Sequence, residues 1–311
     1  LHEEHVRLAA KHGKHALVEK PMALSLSECE RMRETCEQAG TQLIVGHSHS
    51  FNAPVLRARS IIESGRFGRV RMIQAMNFTD FLYRPRRPEE LDTTKGGGVV
   101  FSQAAHQIDI VRLLAGGEVA SVYARTGGWD RQRPTEGAYT AILNFRSGAF
   151  ASVTYNGYGF FDTDPWMGGV GEMGWPKNTD THRLTREKYL STQDEIAEAR
   201  RKANRNFGGP DYVPDLRGAP TAFQHFGPVI ACCEQADLRL TPYGVEIHDV
   251  HGVHLDALPP QAVQRSEVVD EMWSVAREGA APTHSGAWSM ATMEVCLAIL
   301  ESSKKGGAII L

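Results

Sequence analysis

The sequence contains no run of about 18 apolar residues, the length that a membrane-spanning helix needs. It also has little net charge, because 34 Lys and Arg oppose 37 Asp and Glu, which leaves a formal charge of −3. Such a balance lacks the basic footprint of proteins that bind nucleic acids or anionic membrane surfaces. The N-terminal residues, 1–14, are charged and amphipathic and lack the apolar core of a signal peptide. We therefore expect a cytoplasmic protein that binds neither nucleic acid nor membrane.

Cysteine is also sparse, and its pattern argues against two kinds of site. The five cysteines form an odd set without a C-x-x-C pair, which excludes a disulfide framework and a structural zinc site as first expectations. We predict that they are core thiols. Three histidines recur every third residue at His248, His251 and His254, but they surround a turn at Gly252 and are not expected to converge, so we predict no metal site.

Helical and strand patterns alternate over the first fifty residues of the 311-residue chain. Two helix-then-strand units with very short connections are typical of the later part of a doubly wound parallel sheet. The predicted helices are 2–12 and 26–39, and the predicted strands are 15–19 and 42–46. A strand that should precede the first helix is missing, so we expect the chain to be a fragment with a truncated doubly wound α/β sheet.

A third helix is predicted at 52–67, and from Val70 the pattern changes to long strands separated by turns. This predicts a second α/β domain over 51–311 built on a large open, mostly antiparallel sheet. One helix, 100–114, interrupts the strands, and helices at 266–278 and 286–304 close the chain. The segment Asp162 to Asp215 is rich in Gly, Pro, Trp and charge and is expected to run over the surface, with a helix at 192–203.

No obvious helix covers the strand-rich part between Val119 and Tyr155. An open sheet with an uncovered apolar face is expected to bury that face in a partner. We therefore predict a closed homo-oligomer, a homodimer or a homotetramer.

A literal G-x-G-x-x-G occurs at Gly169, Gly171 and Gly174. A phosphate-binding loop of this type needs a strand before it and a helix after it, so that a helix N-terminus meets the pyrophosphate. Here Asp-Pro-Trp precedes the glycines and Trp-Pro follows them. We therefore do not interpret this motif as a dinucleotide site.

A lysine follows the predicted strand at 15–19, in the sequence Glu19-Lys20-Pro21. Ligands of open α/β sheets bind beyond the carboxyl ends of the strands, so Lys20 is expected to face the crevice while Pro21 fixes the turn. A solvated surface pair would be the ordinary interpretation of an isolated Glu-Lys. A second segment of the chain supports the functional interpretation of Lys20.

That segment runs from Gly96 to Asp109 and begins with three glycines that lead into a helix. His106 and Asp109 lie three residues apart on one helical face, which places an imidazole next to a carboxylate. Each segment alone is weak evidence for a site. In this order and at this separation, the two together point to a family.

Taken together, the segments resemble the oxidoreductases named after glucose–fructose oxidoreductase, inositol dehydrogenase and the rhizopine catabolism protein. The resemblance covers nearly the whole chain apart from the Asp162 to Asp215 segment. It implies an N-terminal Rossmann domain that binds NAD, with NADP not excluded, and a small-molecule substrate domain after it. It also implies that roughly 75 residues, including the pyrophosphate loop of the fold, precede Leu1.

The resemblance implies roles for individual residues. Lys20 is similar to the family lysine that hydrogen-bonds the reacting hydroxyl beside the nicotinamide, and His106 to the histidine that takes or relays the proton. Asp109 resembles the acidic residue one turn further on. The residues predicted to contact the cofactor are His5, Glu19, Lys20 and Pro21, and those predicted to contact substrate include His49, Ser102 and Asp109.

One departure from the family pattern bears on the substrate. Dehydrogenases of inositol and related sugars usually carry an Asp four residues before the histidine, and this chain has Ser102 there. Without that carboxylate, the resemblance to the polyol enzymes is weaker. A sugar or cyclitol dehydrogenase and a non-catalytic binding member of the fold remain alternatives.

A basic loop suggests a different substrate. Arg84, Arg86 and Arg87 lie between two aromatic residues and the glycine run, and arginine binds carboxylates bidentately, which a neutral sugar would not require. A solvated loop or a subunit contact is the alternative. Together with His47 and His49, the loop most resembles the family branch that oxidises phthalate 4,5-cis-dihydrodiol to 4,5-dihydroxyphthalate.

Overall fold

A computed structural model describes residues 1–46, 48–192, 194–204, 209, 212–213 and 218–311. Its helices are α1 (His2–Lys11), α2 (Leu26–Gln38), α3 (Ala53–Glu63), α4 (Ala105–Ala115), α5 (Thr181–Ser191), α6 (Glu195–Ala203), α7 (Ser266–Trp273) and α8 (Gly286–Lys305). Its strands are β1 (Ala16–Val18), β2 (Leu43–Val45), β3 (Val70–Phe78), β4 (Val119–Gly127), β5 (Ala138–Phe145), β6 (Phe150–Asn156), β7 (Val229–Cys233), β8 (Ala236–Thr241), β9 (Gly244–Asp249), β10 (Gly252–Ala257) and β11 (Ile309–Ile310).

The N-terminal unit is a small α/β unit, in which β1 and β2 pair in parallel and α1 and α2 cover them. Ser25 begins α2 as the sequence predicts, since its hydroxyl accepts from the Glu28 amide at 3.3 Å and donates to the Glu28 carboxylate at 2.8 Å. Two buried cysteines, Cys29 and Cys36, lie in this core. The helix α8 from the end of the chain packs against both α2 and β2, so the second unit helps to bury the first.

The second unit is a nine-stranded sheet in the order β10-β9-β8-β7-β3-β6-β5-β4-β11. Only β3 and β6 pair in parallel among its described strands, and the other pairings are antiparallel. This confirms the predicted large, mostly antiparallel sheet. Strands β7 and β10 and helix α5 were not predicted, because short apolar runs and a polar helix carry weak periodicity.

Helices cover one face of this sheet, contrary to the expectation from the sequence. Helix α8 packs on β4, and α4 packs on β3 and β6. The opposite face carries partly exposed apolar side chains, with Tyr123 42%, Ile142 50% and Phe150 45% exposed. Only the face of the sheet opposite α4 and α8 is therefore left without a covering helix among the described elements.

We propose that a second copy of the chain covers this opposite face. Replacing Ile142 by lysine should then place an unpaired charge in the contact and shift the protein toward smaller species. Light scattering at micromolar concentration measures the change, with the exposed residue Leu184 replaced by lysine as the control. A monomeric parent protein would remove the proposal.

The segment from Asp162 onward is less peripheral than the sequence suggests. Lys177 forms ion pairs with Asp162 at 2.7 Å and Asp164 at 2.6 Å, and Arg133 forms one with the buried Glu198 at 2.8 Å. The Arg133–Glu198 pair joins the described part of the segment to the sheet domain, whereas the two Lys177 pairs are internal to the segment. Parts of it, 205–208, 210–211 and 214–217, lie outside the described residues. None of the described helices is long and apolar enough to cross a membrane.

Candidate active site

Lys20 lies two residues after the end of β1, and a cis peptide bond joins it to Pro21. Its partly buried ammonium donates to the backbone carbonyl of Ser102 at 2.7 Å. Burial lowers the pKa of Lys20 to about 8, although the negative charges of Glu19 and Glu172 act in the opposite direction. A lysine with this pKa exchanges protons near neutral pH, as an acid/base group must.

A π-helical turn, Val100–Ala104, precedes α4 and contains Ser102. Such turns are rare and are frequent at functional sites. The hydroxyl of Ser102 donates to the Gly98 carbonyl, while the carbonyl of Ser102 accepts from Lys20. The visible contribution of Ser102 is therefore to hold Lys20, and its predicted contact with substrate remains a prediction.

His106 lies buried one turn further along the same helix and packs against His49. The two imidazole rings meet edge to face with their centroids 4.9 Å apart, and the Phe226 ring lies 5.1 Å from each. The phenol ring of Tyr155 stacks on Phe226, with the two ring centroids 5.9 Å apart. The structure thus brings together His106 and His49, which the sequence had placed in the site, whereas His47 lies outside the described residues.

Glu172 is a member of this cluster that the sequence did not reveal. Its carboxylate lies 3.3 Å from His49 Nε2 and 3.7 Å from an Arg84 nitrogen. Burial would raise the pKa of Glu172, but the hydrogen bond from His49 and the charge of Arg84 lower it to about 2. An ionised carboxylate therefore faces the histidine pair. A glutamate within a Gly- and Trp-rich stretch was the only available signal.

The basic loop is not a set of three free cations. Arg84 donates to Asp80 at 2.7 Å, and Arg87 is exposed beside two glutamates, Glu89 and Glu90. Arg86 is buried, donates to the Phe81 carbonyl at 2.8 Å and 3.1 Å and lies 3.4 Å from Glu90. Of the three, only Arg84 lies beside the histidine pair. Protein groups take up the donors of Arg86, and Arg87 is exposed, so these surroundings do not support the predicted substrate contacts of either residue, which remain predictions.

The surroundings of Asp109 give it a structural role, and its predicted contact with substrate remains a prediction. This buried carboxylate accepts from Ser50 at 2.6 Å, Thr292 at 2.8 Å and the Trp288 indole at 2.5 Å. Ser50 also lies 2.9 Å from His284, whose other ring nitrogen is 2.8 Å from Glu271. Since Ser50 adjoins His49 and Asp109 follows His106 by three residues, the Ser50–Asp109 hydrogen bond ties together the two histidine-bearing segments.

A narrow pocket lies beside Lys20 and contains an unsatisfied polar group. Pro21, Met22, Val45 and Ser48 line it, and the Ser48 hydroxyl is buried without a hydrogen-bond partner among the described residues. A carboxamide would satisfy such a group.

The other two predicted cofactor residues, Glu19 and His5, differ in their distance from this pocket. Glu19 is exposed at the strand end beside Lys20, and His5 is exposed on α1. His2 approaches more closely than His5, because its Nδ1 lies 3.1 Å from the Met22 carbonyl. The contact predicted for His5 therefore has no support from its position and remains a prediction. Among the described residues, no three His, Cys, Asp or Glu converge as a metal site.

Comparison with known proteins agrees with this site. Residues 1–47 match the oxidoreductase family with an NAD-binding Rossmann fold, and residues 55–175 match the GFO/IDH/MocA C-terminal domain. A 1-carboxy-3-chloro-3,4-dihydroxycyclohexa-1,5-diene dehydrogenase from Comamonas testosteroni is 43% identical over 303 residues, covering 97% of this chain and 76% of the relative. The chain belongs to the GFO/IDH/MocA oxidoreductase family. Its reaction is oxidoreduction and its cofactor is NAD.

Two solved structures show the same architecture. A Bordetella bronchiseptica protein, provisionally named a dehydrogenase, has a TM-score of 0.91 and 39% identity, covering all of this chain and 80% of that one. An oxidoreductase from Agrobacterium radiobacter, solved with NAD+, L-tartaric acid and magnesium, has a TM-score of 0.68 and 18% identity, covering 99% of this chain and 76% of that one. The second comparison shows the fold alone.

Proposed function

We propose that the protein oxidises a ring-carboxylated cis-dihydrodiol, with NAD as the hydride acceptor. The observation that carries the proposal is the buried aromatic cluster that begins one turn beyond Ser102, where the His49, His106 and Phe226 rings contact one another and Tyr155 stacks on Phe226. Flat rings suit an unsaturated carbocycle, and Ser102 replaces the carboxylate that a polyol would meet. The 43% identical relative is named for a substrate of this class.

In the proposed mechanism, Lys20 takes the proton of the reacting hydroxyl. The Ser102 carbonyl occupies one donor of the amine, which fixes its direction toward the start of α4. NAD, when bound, supplies the acceptor for the hydride that leaves the carbinol carbon. His106, one turn beyond Ser102, relays the proton onward. The resulting hydroxydienone then tautomerises: a proton leaves a ring carbon, the carbonyl oxygen gains a proton, and the ring becomes the aromatic diol.

The carboxylate of the substrate needs a cation, and we assign this role to Arg265. Its guanidinium has no acidic partner among the described residues and donates to the side-chain oxygen of Gln224 at 3.4 Å. The side-chain amide nitrogen of the buried Gln224 has no hydrogen-bond partner among the residues that the structure describes. The Gln224 backbone carbonyl accepts from Asn52, which contacts His49. Arg265 also has the left-handed φ of 62°, an outlier often found at functional sites.

Replacing Arg265 by alanine should raise the KM for a carboxylated cis-dihydrodiol about 10- to 100-fold, the effect of losing a charge-assisted pair. The KM for an uncarboxylated dihydrodiol should stay the same. Steady-state rates of NADH formation measure both values, and Arg87→Ala, at an exposed arginine, is the matched control. Equal changes for the two substrates would contradict the assigned contact.

The function itself is tested by comparing kcat/KM of the unaltered enzyme on four substrates. These are a monocarboxylated cis-dihydrodiol, phthalate 4,5-cis-dihydrodiol, an uncarboxylated cis-dihydrodiol and myo-inositol. We expect the carboxylated diols to react fastest, and the ratio of the first two decides between one and two carboxylates. Faster oxidation of the cyclitol would favour the sugar alternative, and no NAD reduction with any substrate would favour a non-catalytic member of the fold.

A further inference from the structure

The glycine-rich stretch around Gly169, Gly171 and Gly174 lies close to the site in a loop of its own. It folds as a loop closed by a bridge between Val170 and Pro176 and by a hydrogen bond from Gly171 to the Trp175 carbonyl at 2.8 Å. Gly174 has a φ of +82°, and a Cβ there would lie 2.3 Å from the Ala222 carbonyl oxygen. Glycine is therefore required at this position for the close approach of two backbones.

Glu172 lies within this loop, and hydrogen bonds hold its backbone in place. The Glu172 carbonyl accepts from the His225 amide at 3.2 Å, and the His225 ring lies 2.9 Å from the Val170 carbonyl. These contacts dock the loop on the segment that precedes β7. The backbone hydrogen bonds of the loop thus fix the position from which the Glu172 carboxylate reaches the site.

The hydrogen bonds around His49 define its tautomer. The Asn52 side-chain nitrogen donates to the Gln224 carbonyl at 2.9 Å, so it is an NH2 group. The same nitrogen lies 2.9 Å from His49 Nδ1, which must therefore be the acceptor. Because burial also lowers the pKa of His49, the ring is neutral and carries its proton on Nε2, facing Glu172.

We propose that Glu172 is a positioning residue of the dehydrogenase site, holding the His49 ring against His106 and providing a fixed negative charge that acts on Lys20. The inference rests on the site residues proposed above, but not on the identity of the diol. Asn52 and Glu172 hold His49 from its two ring nitrogens, and His49 in turn packs edge to face on His106. Without the Glu172 carboxylate, the His49 ring keeps its contact with Asn52 at Nδ1 and loses the partner that Glu172 provides at Nε2.

The charge of Glu172 also acts on the proton affinity of Lys20. The charged groups that face Lys20 are Glu19 and Glu172, which raise its pKa, and Arg86 and Lys202, which lower it. Removing the Glu172 charge should lower the pKa of Lys20 further. A purely structural role for Glu172 would not produce this effect.

The experiment compares Glu172→Gln, which keeps the shape and removes the charge, with Glu187→Gln. Glu187 is an exposed glutamate on α5 paired with Arg183 at 2.7 Å, so it provides the same chemical change away from the site. We expect Glu172→Gln to lower kcat about 10- to 100-fold, the effect of a small misplacement of catalytic groups. The KM for NAD should stay the same, and the lower limb of the pH profile should move down by about half a pH unit.

A second readout is independent of any substrate. Reductive methylation with 13C-formaldehyde labels Lys20, and NMR titration of the label reports its pKa in both variants, with Lys20→Arg identifying the signal. A lower titration midpoint in Glu172→Gln than in Glu187→Gln supports the proposal even if no dihydrodiol is oxidised. An unchanged midpoint, or a kcat within twofold of the parent enzyme, would overturn it.

Discussion

Replacing Lys20 by alanine should lower kcat by a factor of about 100 or more while NAD still binds. The half-buried amine, held 2.7 Å from the Ser102 carbonyl, has a pKa of about 8 and is the proton acceptor of the proposed reaction. Without it, the hydroxyl proton must leave to water or directly to His106. The rate of NADH formation measures kcat, and quenching of intrinsic fluorescence measures NAD affinity.

Lys95→Ala is the matched control for this prediction. Lys95 is an exposed lysine paired with Asp92 at 3.2 Å, so its loss removes a charge without touching the site. We expect this variant to behave as the parent enzyme. If Lys20→Ala retains a kcat within tenfold of the parent, Lys20 is not the acid/base group.

Replacing Asp109 by alanine should lower the free energy of unfolding by about 3 to 5 kcal/mol, the usual cost of breaking a buried charged network. The variant removes the acceptor for three donors, Ser50, Thr292 and the Trp288 indole. It also leaves Arg112, which is buried and hydrogen-bonded to Thr292, without the nearby negative charge. Urea unfolding followed by circular dichroism measures the loss.

The comparison variant for Asp109 is Glu63→Ala. Glu63 forms an exposed ion pair with Arg59 at 2.7 Å, and such pairs contribute about 1 kcal/mol or less. A loss in Asp109→Ala no larger than that in Glu63→Ala would show that Asp109 is not a structural hub. Its predicted contact with substrate would then regain support.

The sequence was informative where function depends on local order along the chain. Lys20 follows a strand and precedes a proline, and His106 lies on a helix after a glycine run, so both positions could be recognised without coordinates. The doubly wound remnant and the large antiparallel sheet follow from periodicity for the same reason. These features need no knowledge of distant contacts.

The remaining features depend on pairs that are far apart in sequence. Glu172 meets His49 across 123 residues, and nothing near either residue indicates the other. The arginine loop illustrates the opposite problem, since the type of residue suggested a ligand while the partners were local. Asp80 lies four residues before Arg84 and Glu90 four residues after Arg86, a spacing that could have indicated internal ion pairs.

The pH dependence of kcat/KM for the best diol tests the central claim most directly. Only the neutral amine of Lys20 can accept a proton, so the active form is lost as the pH falls through its pKa of about 8. We predict a rate that rises with pH and levels off near or slightly below 8, because the cationic nicotinamide favours the neutral amine. This limb should be absent from the residual activity of Lys20→Ala. A rate that is constant between about pH 6 and about pH 9, or a limb that persists in Lys20→Ala, would contradict the assignment of Lys20 as the proton acceptor.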